Sequence, residues 1–248
     1  MTTWRAEQIC AHRGASAQYP ENTVIAFDAA AHLGAGWIET DVQLLSDGEL
    51  LVFHDETLGR TAAGSAPISS LSWSDVASLD IGSWKHQRFS GERPLTCTQL
   101  IQWQLDEPDR PGIIWEAKCP SDEVAATATA AALAERISAY STHRCIVSSF
   151  DRTFLQAMRT LLPQQPLALI AEVLPSDWLG FCEQYDIDGV HLDGQQLDEG
   201  TAQSVIERHR QLRCYTINTI SLAQKLVQMG VGMVMTDRPD DFAVNGEH

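Results

Sequence analysis

The stretch "CIVSSFDRTFLQAMRTLLPQQPLALIA", residues 145–171, decides the fold class. It opens on a short apolar run, Cys145–Ser149. It then carries a helix-length amphipathic segment, Arg152–Leu161, and closes on a second apolar run, Leu167–Ala171. Two runs of strand length separated by a helical pattern form a βαβ unit, whose strands lie parallel. The rhythm repeats in both directions. Further candidate strands are Gln8–His12, Trp37–Leu44, Ile113–Lys118, Gly189–Leu192, Arg213–Ile217 and Met233–Thr236. Helical patterns between them cover Thr23–Leu33, Asp122–Ala139, Asp177–Gln184, Glu199–Arg208 and Ser221–Met229.

Eight such strands in 248 residues match a (β/α)₈ TIM barrel built as one domain over 1–248. Strand number does not by itself show closure, so an open doubly wound sheet is the rival. One stretch departs from the rhythm. Ser46-Asp47-Gly48 reads as a hairpin turn into a return strand, Glu49–His54. From about 56 to 95 no βα pattern is visible, yet Trp73, Trp84 and Phe89 argue against disorder. That segment is expected to be a small inset subdomain over one end of the barrel.

A formal charge of −16 excludes a nucleic-acid partner and an anionic membrane surface, both of which need basic patches. No apolar run is long enough to insert in a membrane. The first residues lack the pattern of a secretory leader, and six scattered cysteines show no metal-binding spacing. Together these lead to the expectation of a cytoplasmic protein with reduced thiols.

The chemistry begins in "WIETDVQL", residues 37–44. Side chains in a strand alternate, so Glu39 and Asp41 share a face. Two carboxylates on an inner face repel unless a cation lies between them, and hard divalent ions prefer such oxygens. In "IIWEAK", residues 113–118, Glu116 and Lys118 also share a face at the end of an apolar run. Three carboxylates then converge on one metal at the C-terminal mouth of the barrel, with Lys118 as a fixed positive charge. His12 and Arg13 end the first strand, and His54 ends the return strand. Such a set suits an anionic phosphoryl group: arginine forks onto phosphate oxygens, and two imidazoles pass protons near neutral pH.

The segments "AHRGASAQYPENT", "IETDVQLLSDGELLVFHDETLGRT", "LDIGSWKHQRFSGERP", "WEAK", "SSF", "YTIN" and "TDRPD" occur in that order between Ile9 and Asp240. On them the chain resembles the glycerophosphodiester phosphodiesterases, most of all their compact cytoplasmic bacterial members. The resemblance implies a barrel with an inset after the His-Asp motif. It implies one divalent cation, Mg²⁺ or Ca²⁺, on Glu39, Asp41 and Glu116. It further implies acid–base catalysis by His12 and His54, and phosphate held by Arg13 and Lys118. The implied reaction hydrolyses a small-molecule glycerophosphodiester to sn-glycerol 3-phosphate and an alcohol. Tyr215, Trp84 and Phe89 are candidates for the substrate pocket. The chain departs from the family at Gly230-Val231-Gly232-Met233, at Tyr215 where tryptophan is common, and at Ala117.

Other residues have plainer readings. Trp115 faces the helices, His191 is a structural strand histidine, Arg60 in "LGRT" matches a position of that family but reads as an exposed loop residue, and Asp237 and Pro239 shape the last turn. His32, His86, His143, His209 and His248 are read as solvated. Three rival functions remain: a related barrel phospholipase releasing a cyclic phosphate, a Mg²⁺-dependent lyase, and a non-catalytic binder of glycerol phosphates.

Overall fold

In the computed structural model, residues 4–119, 122–138 and 144–242 are described. The expected helix end at Ala139 and the histidines His143 and His248 lie outside them. Ten strands form one sheet: β1 (Ile9–His12), β2 (Trp37–Leu44), β3 (Leu50–Val52), β4 (Leu95–Thr96), β5 (Gly112–Ala117), β6 (Cys145–Ser149), β7 (Leu167–Ala171), β8 (Gly189–Asp193), β9 (Gln211–Tyr215) and β10 (Met233–Thr236). The order is β1-β10-β9-β8-β7-β6-β5-β2-β3-β4, and β1 pairs in parallel with β2 as well as β10. That double pairing closes eight parallel strands into a barrel and disposes of the open-sheet rival. β3 and β4 hang from β2 as an antiparallel extension, with Leu44 opposite Leu50 across the Gly48 turn.

The helices are α1 (Val24–His32), α2 (Trp73–Val76), α3 (Cys97–Asp106), α4 (Glu123–Ser138), α5 (Arg152–Leu161), α6 (Trp178–Gln184), α7 (Glu199–Ile206) and α8 (Ile220–Gln228). Several start where the chain supplies a side-chain acceptor. Asp151 accepts from the Phe154 amide at 2.8 Å and Asp198 from the Thr201 amide at 2.8 Å. α3 was not anticipated; it opens on a capping box between Thr96 and Gln99. β9 starts and ends two residues before the expected Arg213–Ile217; its pairing with β8 ends at Tyr215, while the Ile217 amide still donates to the Met235 carbonyl of β10 at 2.8 Å.

Alternation along each strand divides the core in two. Ile38, Val42, Ile113, Trp115 and Val147 face outward into the layer beneath the helices. Cys10, Ile114, Ile146, Ala168, Met233 and Met235 fill the lumen, with Trp37 and Tyr215 packed against them. A Cβ on Gly112 would lie 2.6 Å from the Trp37 ring, so glycine there makes room for the indole that plugs the floor. With the lumen filled by such side chains, the polar groups collect at its C-terminal end.

Between β3 and β4 the chain forms the short helix α2, two 3₁₀ turns (Ile68–Ser70 and Gln87–Phe89) and a hydrophobic cluster of its own. Leu58, Ile68, Val76 and Ile81 pack there against Leu51 and Phe53. His191 is buried in the lumen, with its Nε2 3.4 Å from the Arg213 guanidinium.

Candidate active site

The barrel register brings the acidic side chains together. Glu39 lies beside His12 across the β1–β2 pair, and Asp41 lies beside Glu116 across the β2–β5 pair. Glu39, Asp41 and Glu116 each present a carboxylate oxygen within 4.8 Å of the others. All three are buried, and both Glu39 oxygens and Asp41 Oδ1 accept no hydrogen bond. A buried carboxylate oxygen without a donor is costly unless a cation takes the place of the donor. The all-oxygen donor set therefore fits a hard divalent ion.

The protein's own charges hold these groups unequally. Burial and the neighbouring Asp41 push the Glu39 carboxyl up to about 8. Asp41 goes the other way, to about 2, because the charges of Arg13 and Lys118 outweigh its burial. Burial and Asp41 also raise Glu116. Lys118 Nζ is 3.2 Å from Asp41 Oδ1 and bonds Glu116, and Arg13 Nε is 3.2 Å from Asp41 Oδ2. Asn22 anchors the far side of Asp41, donating at 2.9 Å.

The turn after β1 aims Arg13. Arg13 and Gly14 both take left-handed backbone angles, φ 57° and 82°. A Cβ on Gly14 would come within 2.7 Å of the Ala26 backbone, so only glycine lets this turn seat on α1.

Each histidine is held through Nδ1 by a carboxylate. His12 Nδ1 is 2.7 Å from Asp237 Oδ1, and His54 Nδ1 is 2.8 Å from Asp55 Oδ1. The Nε2 atoms are left for the site, and that of His12 lies 3.8 Å from Glu39 Oε2. Burial alone would lower the His12 pKa, but its bond to Asp237 and the charge of Glu39 raise it overall.

Lys118 and His54 line a cavity of about 960 Å³, with Gln43, Glu56, Phe150 and Asp151 among its other walls. Trp84, Phe89 and Tyr215 are not among its lining residues. Phe89 is buried instead against Tyr19, at 5.7 Å between ring centroids. Trp84 is partly exposed, with Arg60 and Lys85 over its ring. Tyr215 faces Phe150 at 6.4 Å, its hydroxyl buried without a hydrogen-bond partner.

Sequence reasoning missed several contributors. Asp237 was read as a turn residue, yet it holds His12 and is itself bonded by Asn218 Nδ2 at 2.7 Å and Ser16 Oγ at 3.0 Å. Arg60 is exposed, as its loop position implies, and also bonds both Asp55 and Glu21. Glu21 also accepts from Arg13 at 2.9 Å. The available signal was position: Glu21, Asn218 and Asp237 lie inside the quoted "YPENT", "YTIN" and "TDRPD".

The family model described as the glycerophosphoryl diester phosphodiesterase family matches residues 12–241. The Bacillus subtilis protein YhdW is 31% identical, over 97% of this chain and 98% of the relative. A glycerophosphodiester phosphodiesterase of Caldanaerobacter subterraneus subsp. tengcongensis is 29% identical, over 94% of each chain. Among solved structures, an Oleispira antarctica phosphodiesterase in complex with the product sn-glycerol-3-phosphate superposes with a TM-score of 0.89. It is 30% identical, over 95% of this chain and 94% of that one.

Proposed function

The chain belongs to the glycerophosphoryl diester phosphodiesterase family, and from that membership we propose that it hydrolyses glycerophosphodiesters to sn-glycerol 3-phosphate and an alcohol. The observation that carries the reading is the cluster of Glu39, Asp41 and Glu116 beside two histidines that each have Nδ1 on a carboxylate.

Arg13 and Lys118 orient the phosphodiester by its non-bridging oxygens, and each keeps a carboxylate partner that fixes its position. Glu39, Asp41 and Glu116 hold one Mg²⁺ or Ca²⁺, which when bound neutralises phosphate charge and lowers the pKa of an oxygen ligand. Water adds to phosphorus as the bond from phosphorus to the alcohol oxygen breaks. One Nε2 accepts the proton the water loses, and the other gives a proton to the departing alkoxide. His12 and His54 divide these two roles. The carboxylates on Nδ1 fix the tautomer that leaves each Nε2 facing the reaction. The leaving alcohol is directed into the cavity walled by His54 and Phe150.

The enzyme is read as one barrel domain over 1–248 with an inset at about 56–95. The six cysteines are free thiols, which supports a reducing, cytoplasmic setting. No helix among the described residues is long and apolar enough to cross a membrane. The test is phosphorus NMR of a reaction with glycerophosphocholine, run with metal, with chelator and after metal add-back. A phosphomonoester that appears only with metal supports hydrolysis. A persistent cyclic ester points to the phospholipase-type reaction, and unreacted diester under all conditions points to a binder.

A further inference from the structure

Arg60 comes from the first turn of the segment that follows His54-Asp55, and its side chain is 44% exposed. An exposed arginine in a loop ordinarily bonds water or one mobile carboxylate. This one makes four bonds to two carboxylates from distant parts of the chain. Its Nε and Nη2 fork onto Asp55 at 2.7 and 2.8 Å, while Nη1 and Nη2 fork onto Glu21 at 2.6 and 2.8 Å. The same two oxygens that Nη2 bonds also reach the site: Asp55 Oδ1 lies 2.8 Å from His54 Nδ1, and Glu21 Oε1 accepts from Arg13 at 2.9 Å. One guanidinium thus joins the group on the His54 imidazole to the group on the Arg13 side chain.

A second run of contacts closes the path to the other histidine. Arg60 and Lys85 both lie over the Trp84 ring, at 5.7 and 5.5 Å from its centroid. Lys85 Nζ donates to the Ser16 carbonyl at 2.7 Å, and Ser16 Oγ donates to Asp237, the partner of His12. The inset therefore touches the supports of both imidazoles.

We propose that Arg60 is a positioning residue that, by forking between Asp55 and Glu21, holds His54 and Arg13 in one fixed relation across the mouth of the barrel. The proposal rests on the hydrolase reading. The physical cause is charge. Glu21 Oε1 and Asp55 Oδ1 both lie within 2.8 Å of the same Arg60 nitrogen, so removing it leaves two carboxylates repelling at close range. Asp55 then turns from His54 Nδ1, and the imidazole loses its fixed tautomer. Because the Arg60 end of the pair is exposed, water can take the place of the guanidinium, and the loss falls more on catalysis than on the fold.

The experiment compares Arg60→Ala, Arg60→Lys and the double variant Arg60→Ala/Glu21→Gln with the wild type, metal-loaded. It measures glycerophosphocholine turnover, thermal unfolding and long-range ¹H–¹⁵N spectra of the imidazoles. Arg60→Ala is expected to lower kcat about 10- to 100-fold, the scale of a small misplacement of a reacting group, with a smaller rise in KM as Arg13 loosens on Glu21. Its unfolding midpoint stays near that of the wild type, and the His54 ring passes from the Nδ1–H form to a mixture of tautomers. Arg60→Lys keeps the charge without the fork and stays impaired. The double variant recovers part of kcat, because the repelling charge is gone while the glutamine oxygen still accepts from Arg13. Wild-type kcat with an unchanged His54 spectrum in Arg60→Ala overturns the proposal. So does a raised KM at unchanged kcat, which makes Arg60 a substrate ligand. If Arg60→Ala fails to fold, the spectrum and kcat of Arg60→Lys decide. If the wild type turns over no glycerophosphodiester, the hydrolase reading fails, and the imidazole spectra still decide on Arg60.

Discussion

His12 and Asp237 are 225 residues apart in sequence, and the imidazole Nδ1 lies 2.7 Å from the carboxylate oxygen. The contact follows from β1 pairing with β10, whose last paired residues are Ala11 and Thr236. Burial works against the protonated imidazole, and the bond to Asp237 together with the charge of Glu39 more than offsets it. In Asp237→Asn the His12 pKa falls, so the limb of the pH–rate profile that His12 governs moves to lower pH. That direction is the same whether His12 acts as base or acid. Turnover at the optimum is expected to fall at least ~10-fold as the ring loses its fixed orientation. Kinetics across pH 5–9 check both expectations.

Metal-free protein is expected to lose stability as pH rises. The Glu39 carboxyl titrates near 8 in the fold against an ordinary value near 4.5. Between those values the folded state binds more protons than the unfolded one, so stability falls with rising pH. His12, also raised, contributes stability at low pH that is lost in the same direction. A divalent cation reverses the trend by taking the place of the proton on Glu39. Thermal unfolding with and without Mg²⁺ or Ca²⁺ should show a larger cation-induced rise at pH 8 than at pH 5. Glu116→Gln should shrink that rise.

Replacing either imidazole removes a proposed proton carrier and leaves all three acidic side chains present. His12→Ala and His54→Ala are each expected to lower kcat at least ~10²-fold with metal still bound. Metal-dependent thermal shifts confirm that binding survives, and near-wild-type kcat in either variant counts against the paired-histidine mechanism.

The barrel was legible because its evidence is local. Each strand is a short apolar run, each helix an amphipathic one, and alternation placed Glu39, Asp41, Glu116 and Lys118 on inner faces. α3 was missed although its capping box, Thr96 to Gln99, is a sequence signal. It follows an irregular stretch in which no strand marked where to look. Asp237 and Arg60 were hidden for a different reason. Their partners are set by closure of the barrel and by a loop crossing 39 residues from Glu21, and strand periodicity carries nothing about either.

Gly14→Ala tests how tightly the first turn is built. The added methyl meets Ala26 at 2.7 Å in a backbone conformation that disfavours any Cβ. We expect a stability loss of about 1–3 kcal/mol, read by urea unfolding. Arg13 should shift with the turn, so KM for glycerophosphodiesters should rise more than kcat falls.

β1 is flanked on one side by a strand synthesised soon after it and on the other by the last strand of the sheet. While the polypeptide is still emerging from the ribosome, one hydrogen-bonding edge of β1 has no neighbour and is open to intermolecular pairing. A nascent chain arrested before residue 233 already contains both imidazoles and all three clustered carboxylates, yet its ring is unsealed. Premature termination near the 3′ end of the message should therefore yield insoluble, inactive product rather than a weakened enzyme.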